Sequence, residues 1–209
     1  MIFKNRKEAG QQLATALASY ARLPNHLVVG LARGGIIVAR EVALALKLPL
    51  EVLVVRKIGA PTQPELAMGA MAGDVILFQK ETVEMEGVTQ KELTAIIDQE
   101  RQELFRREKL YRSGRKMASM QDKTILLIDD GIATGLTLKA SIQFLKKCKV
   151  QSIVLAVPVA SSESIAQMKK EVNHVLCLTT PDYFLGVSQF YQEFRQVTDE
   201  EVCNALKSQ

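Results

Sequence analysis

The sequence predicts an α/β protein with an open parallel sheet flanked by helices, and two observations carry this prediction. Short apolar runs rich in β-branched residues do not alternate with polar residues, which is typical of strands buried on both faces. Amphipathic stretches with helical spacing lie between these runs, and such alternation is the pattern of βαβ units.

The predicted elements follow in order along the chain. The first helix begins at Asn5, with Glu8 three residues later as in a capping box. The apolar runs place strands at 27–29, 52–55, 125–128, 153–157 and 175–178. Helical spacing places helices at about 36–47, 136–147 and 162–171.

The gap between the second and third strands breaks this rhythm. It holds a Gly/Pro-containing stretch (56–64), a hairpin around Gly73 and a long polar helix near 89–113. We expect one domain over residues 1–209. In it, an insertion (about 73–118) and the C-terminal segment (about 180–209) form a helical hood or oligomer contacts.

The net charge of the chain and the basic residues of its long helix bear on nucleic-acid binding. The 209 residues carry 27 Lys and Arg against 23 Asp and Glu, and a net charge of +4 does not by itself indicate nucleic-acid binding. Acidic residues interleave with the basic residues of the long helix, which favours a solvated or oligomer-facing helix, and RNA binding there stays an open alternative. These basic residues are Arg106, Arg107, Lys109, Arg112, Arg115 and Lys116.

The cysteines and the hydropathy indicate a cytoplasmic protein without a membrane partner. Three cysteines without a Cys-x-x-C motif predict reduced thiols. The N-terminus lacks the apolar core of a signal peptide, and no apolar run approaches the roughly 20 residues of a membrane span.

The most informative segment follows the third predicted strand. It reads Asp129-Asp130-Gly131-Ile132-Ala133-Thr134-Gly135-Leu136-Thr137. The N–H groups of residues 133–137 and the two threonine hydroxyls suit a phosphate at a helix N-terminus. The two carboxylates suit sugar hydroxyls or a hydrated divalent cation instead. Phosphate beside a diol predicts a ribose 5-phosphate site.

This segment resembles the phosphoribosyl-diphosphate (PRPP) motif of the type I phosphoribosyltransferases: a hydrophobic strand, two acids, then a small-Thr-Gly-x-Thr loop. A second segment, Ala32-Arg33-Gly34-Gly35, is similar to the pyrophosphate loop of that family. The resemblance implies that a basic residue and glycine amides reach the diphosphate there, with a non-proline cis peptide at Ala32–Arg33. Taken alone, two glycines before a helix are common.

A third segment occupies the position of the family's mobile catalytic loop. It reads Arg56-Lys57-Ile58-Gly59-Ala60-Pro61-Thr62-Gln63-Pro64-Glu65, and its Arg-Lys-x-Gly-Ala-Pro start is similar to that of a bacterial group in the family. The resemblance implies that Arg56 and Lys57 face the leaving diphosphate, while Gly59 and the two prolines shape a lid. An exposed basic loop is the alternative.

The C-terminal segment 180–187 resembles the one that covers the base in the 6-oxopurine branch, with Phe184 at the position of the stacked ring. An equal alternative is that the aromatic residues between 183 and 194 close the core. Ala133 and Phe190 stand where that branch carries acids, so a hypoxanthine or guanine substrate does not follow from the resemblance.

The resemblance implies Mg²⁺-dependent transfer of the 5-phosphoribosyl group from PRPP to a nucleobase-like acceptor, with release of pyrophosphate by a homodimer. The catalytic residues expected from it are Asp129, Asp130, Arg33, Arg56 and Lys57. The substrate-binding residues expected from it are Ala32, Gly34, Gly35, Ala133, Thr134, Gly135, Leu136, Thr137 and Phe184. Asp129 and Asp130 would also hold Mg²⁺, directly or through water.

Other functional classes are less consistent with the sequence. The alternative that stays open is a non-catalytic regulator that keeps the PRPP or nucleotide pocket. A P-loop kinase, a Rossmann dehydrogenase and a G-x-S-x-G hydrolase each need a motif that the sequence lacks.

Overall fold

The computed structural model describes residues 1–63 and 65–207 of the chain. Its strands are β1 (His26–Ala32), β2 (Leu50–Gly59), β3 (Ala67–Ala72), β4 (Val75–Phe78), β5 (Thr124–Ile128), β6 (Ser152–Val159) and β7 (His174–Thr179). Its α-helices are α1 (Arg6–Ala16), α2 (Gly34–Leu46), α3 (Lys80–Met85), α4 (Gln90–Tyr111), α5 (Leu136–Lys147), α6 (Ser162–Met168) and α7 (Asp199–Lys207). Within these two ranges, none of the helices is both long and apolar enough to cross a membrane.

The strands form one mostly parallel sheet in the order β4-β3-β2-β1-β5-β6-β7. The five predicted strands are all present and parallel to one another, which confirms the predicted fold class. The hairpin predicted around Gly73 is also present, and it adds β3 and β4 as antiparallel edge strands. Because β1 lies between β2 and β5, the strand order changes direction there, where α/β sheets typically bind ligands.

Helices cover both faces of the sheet, which explains the continuous apolar runs. Val28 and Leu126 face one side and pack in a cluster with residues of α1 and α2. Val29 and Leu127 face the other side and pack with residues of α5. Each central strand therefore has no polar face, as its sequence predicts.

Strand β2 is longer than the sequence predicts. Arg56 and Lys57, expected in a loop, lie in β2 and pair with Met71 and Ala70 of β3. The hairpin provides hydrogen-bonding partners for this segment, and burial of Ile58 keeps it against the core. The expected loop therefore begins beyond Gly59, and Pro64 lies outside the described residues.

The long helix α4 packs on β2 and is anchored at both ends. At its N-terminus, Thr89 and Glu92 form a capping box. At its C-terminus, Arg112 is buried and its guanidinium lies 3.2 Å from a carboxylate oxygen of Glu51. The Tyr111 hydroxyl donates to Asp199 of α7 at 2.6 Å, so α4 also holds the C-terminal helix.

Candidate functional site

The candidate site lies at the carboxyl ends of β1 and β5, which are neighbours in the sheet. A cavity of about 380 Å³ opens there, and we call it the acid-pair cavity. Its lining consists of residues 129–135, Thr137, Leu138, Val187, Ser188 and Phe194. Most of the predicted PRPP motif therefore lines one cavity.

The loop before α5 presents backbone amides to this cavity. Gly135 adopts a left-handed conformation (φ +73°) at the N-cap of α5 and provides no side-chain cap. The amides of the first helical turn are therefore open to a ligand, and the positive end of the helix dipole favours an anion. The Ser164 hydroxyl donates to the Ala133 carbonyl at 3.0 Å and fixes the loop from behind.

The two acids after β5 contact the two glycines after β1. A Cβ atom on Gly34 would lie 2.0 Å from a carboxylate oxygen of Asp130, and one on Gly35 would lie 2.7 Å from a carboxylate oxygen of Asp129. Only glycine allows the acids this close to the start of α2. The structure therefore brings the predicted pyrophosphate loop and the predicted PRPP motif into contact.

The peptide bond between Ala32 and Arg33 is cis, which agrees with what the family resemblance implies. Arg33 occupies the N-cap position of α2, and its side chain makes no capping hydrogen bond. It is half-buried. Across the described part of the chain, we find no ion pair or side-chain hydrogen bond that engages its guanidinium, so a bound anion would not have to displace a carboxylate from it.

Burial dominates the electrostatics of the acid pair. It raises the pKa of Asp129 well above the usual range of a carboxyl group, and the neighbouring charge of Asp130 raises it further. Burial also raises the pKa of Asp130, although the guanidinium of Arg6 opposes this effect. Two adjacent buried carboxylates favour hydroxyl donors or a cation as ligands.

Arg6 is a site residue that the sequence reasoning missed. Its Nε lies 2.7 Å from a carboxylate oxygen of Asp130, and its Nη1 donates to the Arg195 carbonyl at 2.8 Å. The guanidinium carbon lies 3.9 Å from the ring centroid of Phe194, in cation–π geometry. Nothing in the local pattern indicates this role, because Arg6 reads only as the first residue of a helix.

The C-terminal segment supports Asp130 from a second side. The buried Tyr191 donates its hydroxyl to the Asp130 carbonyl at 2.6 Å. Tyr191 also forms a parallel bridge with Phe3, whose amide donates to the Phe190 carbonyl at 2.8 Å. The N-terminal residue Phe3 therefore meets residues 190–191 beside the acids. The aromatic content of residues 183–194 is consistent with packing in the core but does not predict this contact.

The structure does not place Arg56 and Lys57 in the acid-pair cavity. The Arg56 Nε lies 2.6 Å from a carboxylate oxygen of Glu100 on α4, and the Lys57 ammonium lies 2.9 Å from Glu65. Both basic residues line a separate cavity of about 360 Å³. Their carboxylate partners explain this placement, because each ion pair neutralises its cation outside the acid-pair cavity.

Phe184 is also absent from the lining of the acid-pair cavity. Its ring stacks on Phe190, with centroids 5.7 Å apart and planes at 9°. Together with Phe3, Tyr191 and Phe194, these rings form a small cluster, which fits the alternative that aromatic residues close the core. Tyr183 does not belong to that core, because 89% of its surface is exposed.

The donor set fits a hydrated magnesium ion better than a fully protein-bound metal. In the part of the chain that the structure describes, no three His, Cys, Asp or Glu side chains are grouped as metal ligands. Asp129 and Asp130 provide oxygen donors only, and Mg²⁺ is typically held by one or two carboxylates, water and substrate phosphates. One oxygen of Asp130 is already paired with Arg6.

Comparison with known proteins identifies the family. The chain matches the profile described as Phosphoribosyl transferase domain over residues 2–195. It belongs to the type I phosphoribosyltransferases. The profile reaches beyond the motifs on both sides and includes Arg6, Tyr191 and Phe194.

A curated relative supports the assignment of this chain to the phosphoribosyltransferase family. The chain is 40% identical over 202 residues to a Mycobacterium tuberculosis protein named "Putative phosphoribosyl transferase Rv0571c". That match covers 96% of the chain but 45% of the relative, so the chain spans about half the length of this curated relative.

Two solved structures agree in fold. The crystal structure of TT1426 from Thermus thermophilus is 37% identical, with a TM-score of 0.79 over 99% of this chain and 98% of that one. The Giardia lamblia APRTase complexed with 9-deazaadenine is 16% identical, with a TM-score of 0.50 over 83% of this chain and 80% of that one, a likeness of fold alone.

Proposed function

We propose that the chain transfers the 5-phosphoribosyl group from PRPP to a ring nitrogen of a nitrogenous base and releases pyrophosphate. One observation carries this proposal: the uncapped amides before α5, the acid pair and the Gly34-Gly35 turn all meet at one edge of the sheet. These three parts match the 5-phosphate, the ribose diol and the diphosphate of one substrate. Family membership supports the same reaction class.

Each part of the site has a role in this reaction. The amides and hydroxyls of residues 133–137 hold the 5-phosphate, and Asp129 and Asp130 accept hydrogen bonds from the ribose hydroxyls. Arg33 and the amides at Gly34 and Gly35 stabilise the diphosphate. Fixed groups of this kind accelerate a reaction by positioning the substrate and stabilising developing charge.

The bonds and charges balance without a covalent enzyme intermediate. The C1–O bond of PRPP breaks and the diphosphate leaves with its electron pair, while the lone pair of the base nitrogen forms the new C1–N bond. The proton displaced from the base passes to solvent or to the diphosphate. Ala133 in the phosphate loop offers no acid or base for this transfer.

Magnesium is part of the proposal. Asp129 and Asp130 would hold the ion, directly or through its water molecules, together with oxygens of the substrate. When bound, it would neutralise the negative charge of the diphosphate and separate it from the two carboxylates.

We also expect the protein to work as a cytoplasmic homodimer. Met85, the last residue of α3, exposes 72% of its surface, which supports a contact there. Size-exclusion chromatography with light scattering measures the oligomeric state.

A catalytic role of Arg56 and Lys57 requires a rearrangement. Ala32 of β1 pairs with Val54 of β2, so Arg56 lies two residues further along, at the edge of the sheet that carries the site. We propose that closure of the segment after Gly59 draws Arg56 from Glu100 and Lys57 from Glu65 toward the diphosphate. The two cations would then stabilise the leaving group.

One observation favours a second candidate function, a PRPP- or nucleotide-binding regulator without catalysis. The 2.6 Å ion pair between Arg56 and Glu100 keeps the expected leaving-group cation away from the acid-pair cavity. A regulator needs only the proposed binding residues around the acid pair. Phe184, packed on Phe190, remains a proposed base contact that would also have to move.

Two measurements separate these candidates. Calorimetric titration with PRPP, with and without Mg²⁺, tests the pocket, and we expect Mg²⁺ to strengthen binding. A panel of purine and pyrimidine bases, assayed for pyrophosphate release, tests catalysis and identifies the acceptor. Tight PRPP binding without turnover on any base would favour the regulator. No PRPP binding at millimolar concentration would contradict both the transferase and a PRPP-binding regulator.

A further inference from the structure

A second, larger cavity lies away from the acids. It measures about 660 Å³ and is bounded by the C-terminal half of α4, the β3–β4 hairpin, α5 and the segment after α4. None of its lining residues lines the acid-pair cavity. Its volume lies in the range of about 300–1,000 Å³ that is usual for small-molecule sites.

One part of the lining of this cavity is apolar and carries two aromatic rings. Phe105, on α4, exposes 56% of its surface, which is high for a phenylalanine on a folded domain. Phe144, on α5, is half-buried, and Met71 and Ile76 of the hairpin complete the apolar part. Such a surface suits the flat body of an aromatic ligand.

The rim of the cavity carries positive charge without carboxylate partners. Lys109, Arg115 and Lys116 are exposed, and none of them has an ion pair or side-chain hydrogen bond within residues 1–63 and 65–207. The two carboxylates in the lining are compensated by other cations, Asp74 by Lys147 and Glu108 by Arg112. The net field at the rim therefore favours an anion.

The basic residues around this cavity argue against binding of a nucleic-acid strand. Of the six basic residues at the end of α4 and just after it, half are engaged in ion pairs within the protein. The engaged residues are Arg106, Arg107 and Arg112. Three remaining cations around one concavity do not provide the extended charged track that a repeating phosphate backbone requires.

We propose that this cavity binds a small molecule that joins an aromatic ring to a phosphate or a comparable anion, the chemistry of a nucleoside phosphate. The ring lies against Phe105 and Phe144, and the anion lies at Arg115 and Lys116. The proposal does not rest on the transferase reaction, because the two cavities share no lining residue.

Photolabelling locates such a ligand directly. The probe is 8-azidoadenosine 5′-monophosphate, which is irradiated with the full chain and mapped by mass spectrometry of the digested protein. We expect labelling of residues 101–117, competed by AMP and much less by adenosine, which lacks the anion. Labelling of residues 129–137 or 187–194 reports binding at the acid-pair cavity in the same sample, so the two sites are read independently.

Two matched double variants test the role of the charges. Arg115→Gln with Lys116→Gln should reduce labelling of 101–117 about tenfold or more, because both charged donors to the anion are lost. Lys169→Gln with Lys170→Gln removes the same charge from two exposed positions outside the cavity, and should leave labelling unchanged. Both pairs lie on the surface, and circular dichroism verifies folding.

Several outcomes would overturn the proposal. Labelling confined to the acid-pair cavity, or equal competition by AMP and adenosine, contradicts an anion site at α4. Displacement of the probe by a short RNA at far lower concentration than AMP would identify a nucleic-acid surface instead. Cross-links between two chains through residues 101–117, with no probe bound, would show that a second copy covers the cavity.

Discussion

Arg6 and Asp130 form an ion pair of 2.7 Å that connects the first residue of α1 to the second acid of the PRPP motif. Their side chains expose only 11% and 15% of their surfaces. Arg6 therefore neutralises one of two adjacent, part-buried acids within the folded chain. It also fixes the direction in which Asp130 presents its second oxygen.

We predict that Arg6→Gln destabilises the protein and weakens PRPP binding. Loss of Arg6 leaves the part-buried charge of Asp130 unpaired. Breaking a fully buried pair costs about 3–5 kcal/mol, so we expect a cost of up to about 3 kcal/mol here. Urea unfolding measures this cost, and calorimetry measures PRPP affinity. Arg6→Lys should recover part of both, because it restores the charge but not the hydrogen bond to the Arg195 carbonyl.

Arg195→Gln is the matched control for Arg6→Gln. Its guanidinium is 72% exposed and pairs with Glu201 at the surface, so its removal should change stability much less than removal of Arg6. Equal losses in the two variants would show that the Arg6 pair has no special role in the site.

We predict opposite effects of Asp129→Asn on stability and on binding. Burial and Asp130 raise the pKa of Asp129, so its ionised form is unfavourable in the folded protein near neutral pH. Asparagine removes this charge and can still accept the 2.9 Å hydrogen bond from the Asp130 amide. In metal-free buffer the melting temperature should rise, by about 2–4 °C for each kcal/mol gained, while PRPP affinity falls.

The control for Asp129→Asn is Asp182→Asn, which changes an exposed acid in the C-terminal segment. It should change neither the melting temperature nor the affinity. If Asp129→Asn instead lowers the melting temperature, the carboxylate stabilises the folded chain, and our account of the acid pair is wrong.

We predict that Gly34→Ala lowers the affinity for PRPP by about 100-fold or more. Its methyl group would lie 2.0 Å from a carboxylate oxygen of Asp130, so the acid or the start of α2 must move. Gly186→Ala is the control, because a methyl group there meets no atom within 4 Å. Wild-type affinity in the Gly34 variant would mean that contact between the two loops is not needed.

We predict that the ion pairs at the end of α4 make stability depend on pH. Hydrogen bonds from Arg106 and Arg107 lower the pKa of Glu103 from 4.5 to about 2. Because the pKa is lower in the folded state, this stabilisation is present above pH 4.5 and is lost as pH falls toward 2. Glu103→Gln should therefore cost about 0.5–1 kcal/mol at pH 7 and much less at pH 3.

Glu84→Gln, an exposed acid in α3, provides the comparison for Glu103→Gln. Denaturant unfolding of both variants at the two pH values measures the difference. A cost at Glu103 that is the same at pH 3 and pH 7 would assign its effect to packing instead of charge.

Features of the fold and site that depend on local pattern were predictable from the sequence. A strand that is buried on both faces of the sheet has a continuous apolar run. The sequence therefore predicts all five parallel strands within a few residues of their observed bounds. The position of the candidate binding loops is also predictable, because the carboxyl ends of parallel strands share one edge of the sheet. The contact between Gly34 and Asp130 is a consequence of that rule.

Side-chain partners that are distant in sequence were not predictable. Arg6 and Asp130 are separated by 124 positions, and Arg56 and Glu100 by 44. Neither pair leaves a periodic signal, since each depends on how a helix packs against the sheet. Phe184 lies in an irregular segment, where no period fixes the direction of a ring, and its stacking on Phe190 follows from tertiary packing.

The ion pair between Arg56 and Glu100 supports the sharpest test of catalysis. If Arg56 stabilises the leaving diphosphate, Arg56→Ala should lower kcat at least tenfold while the Kd of PRPP changes less than threefold. Glu100→Gln should leave kcat unchanged or raise it, because it frees Arg56 from its 2.6 Å partner. Steady-state kinetics and calorimetry provide both constants, with Lys91→Ala, an exposed cation on the first turn of α4, as the control. A normal kcat in Arg56→Ala would mean that this arginine is structural, and the cation for the leaving group would then be Arg33.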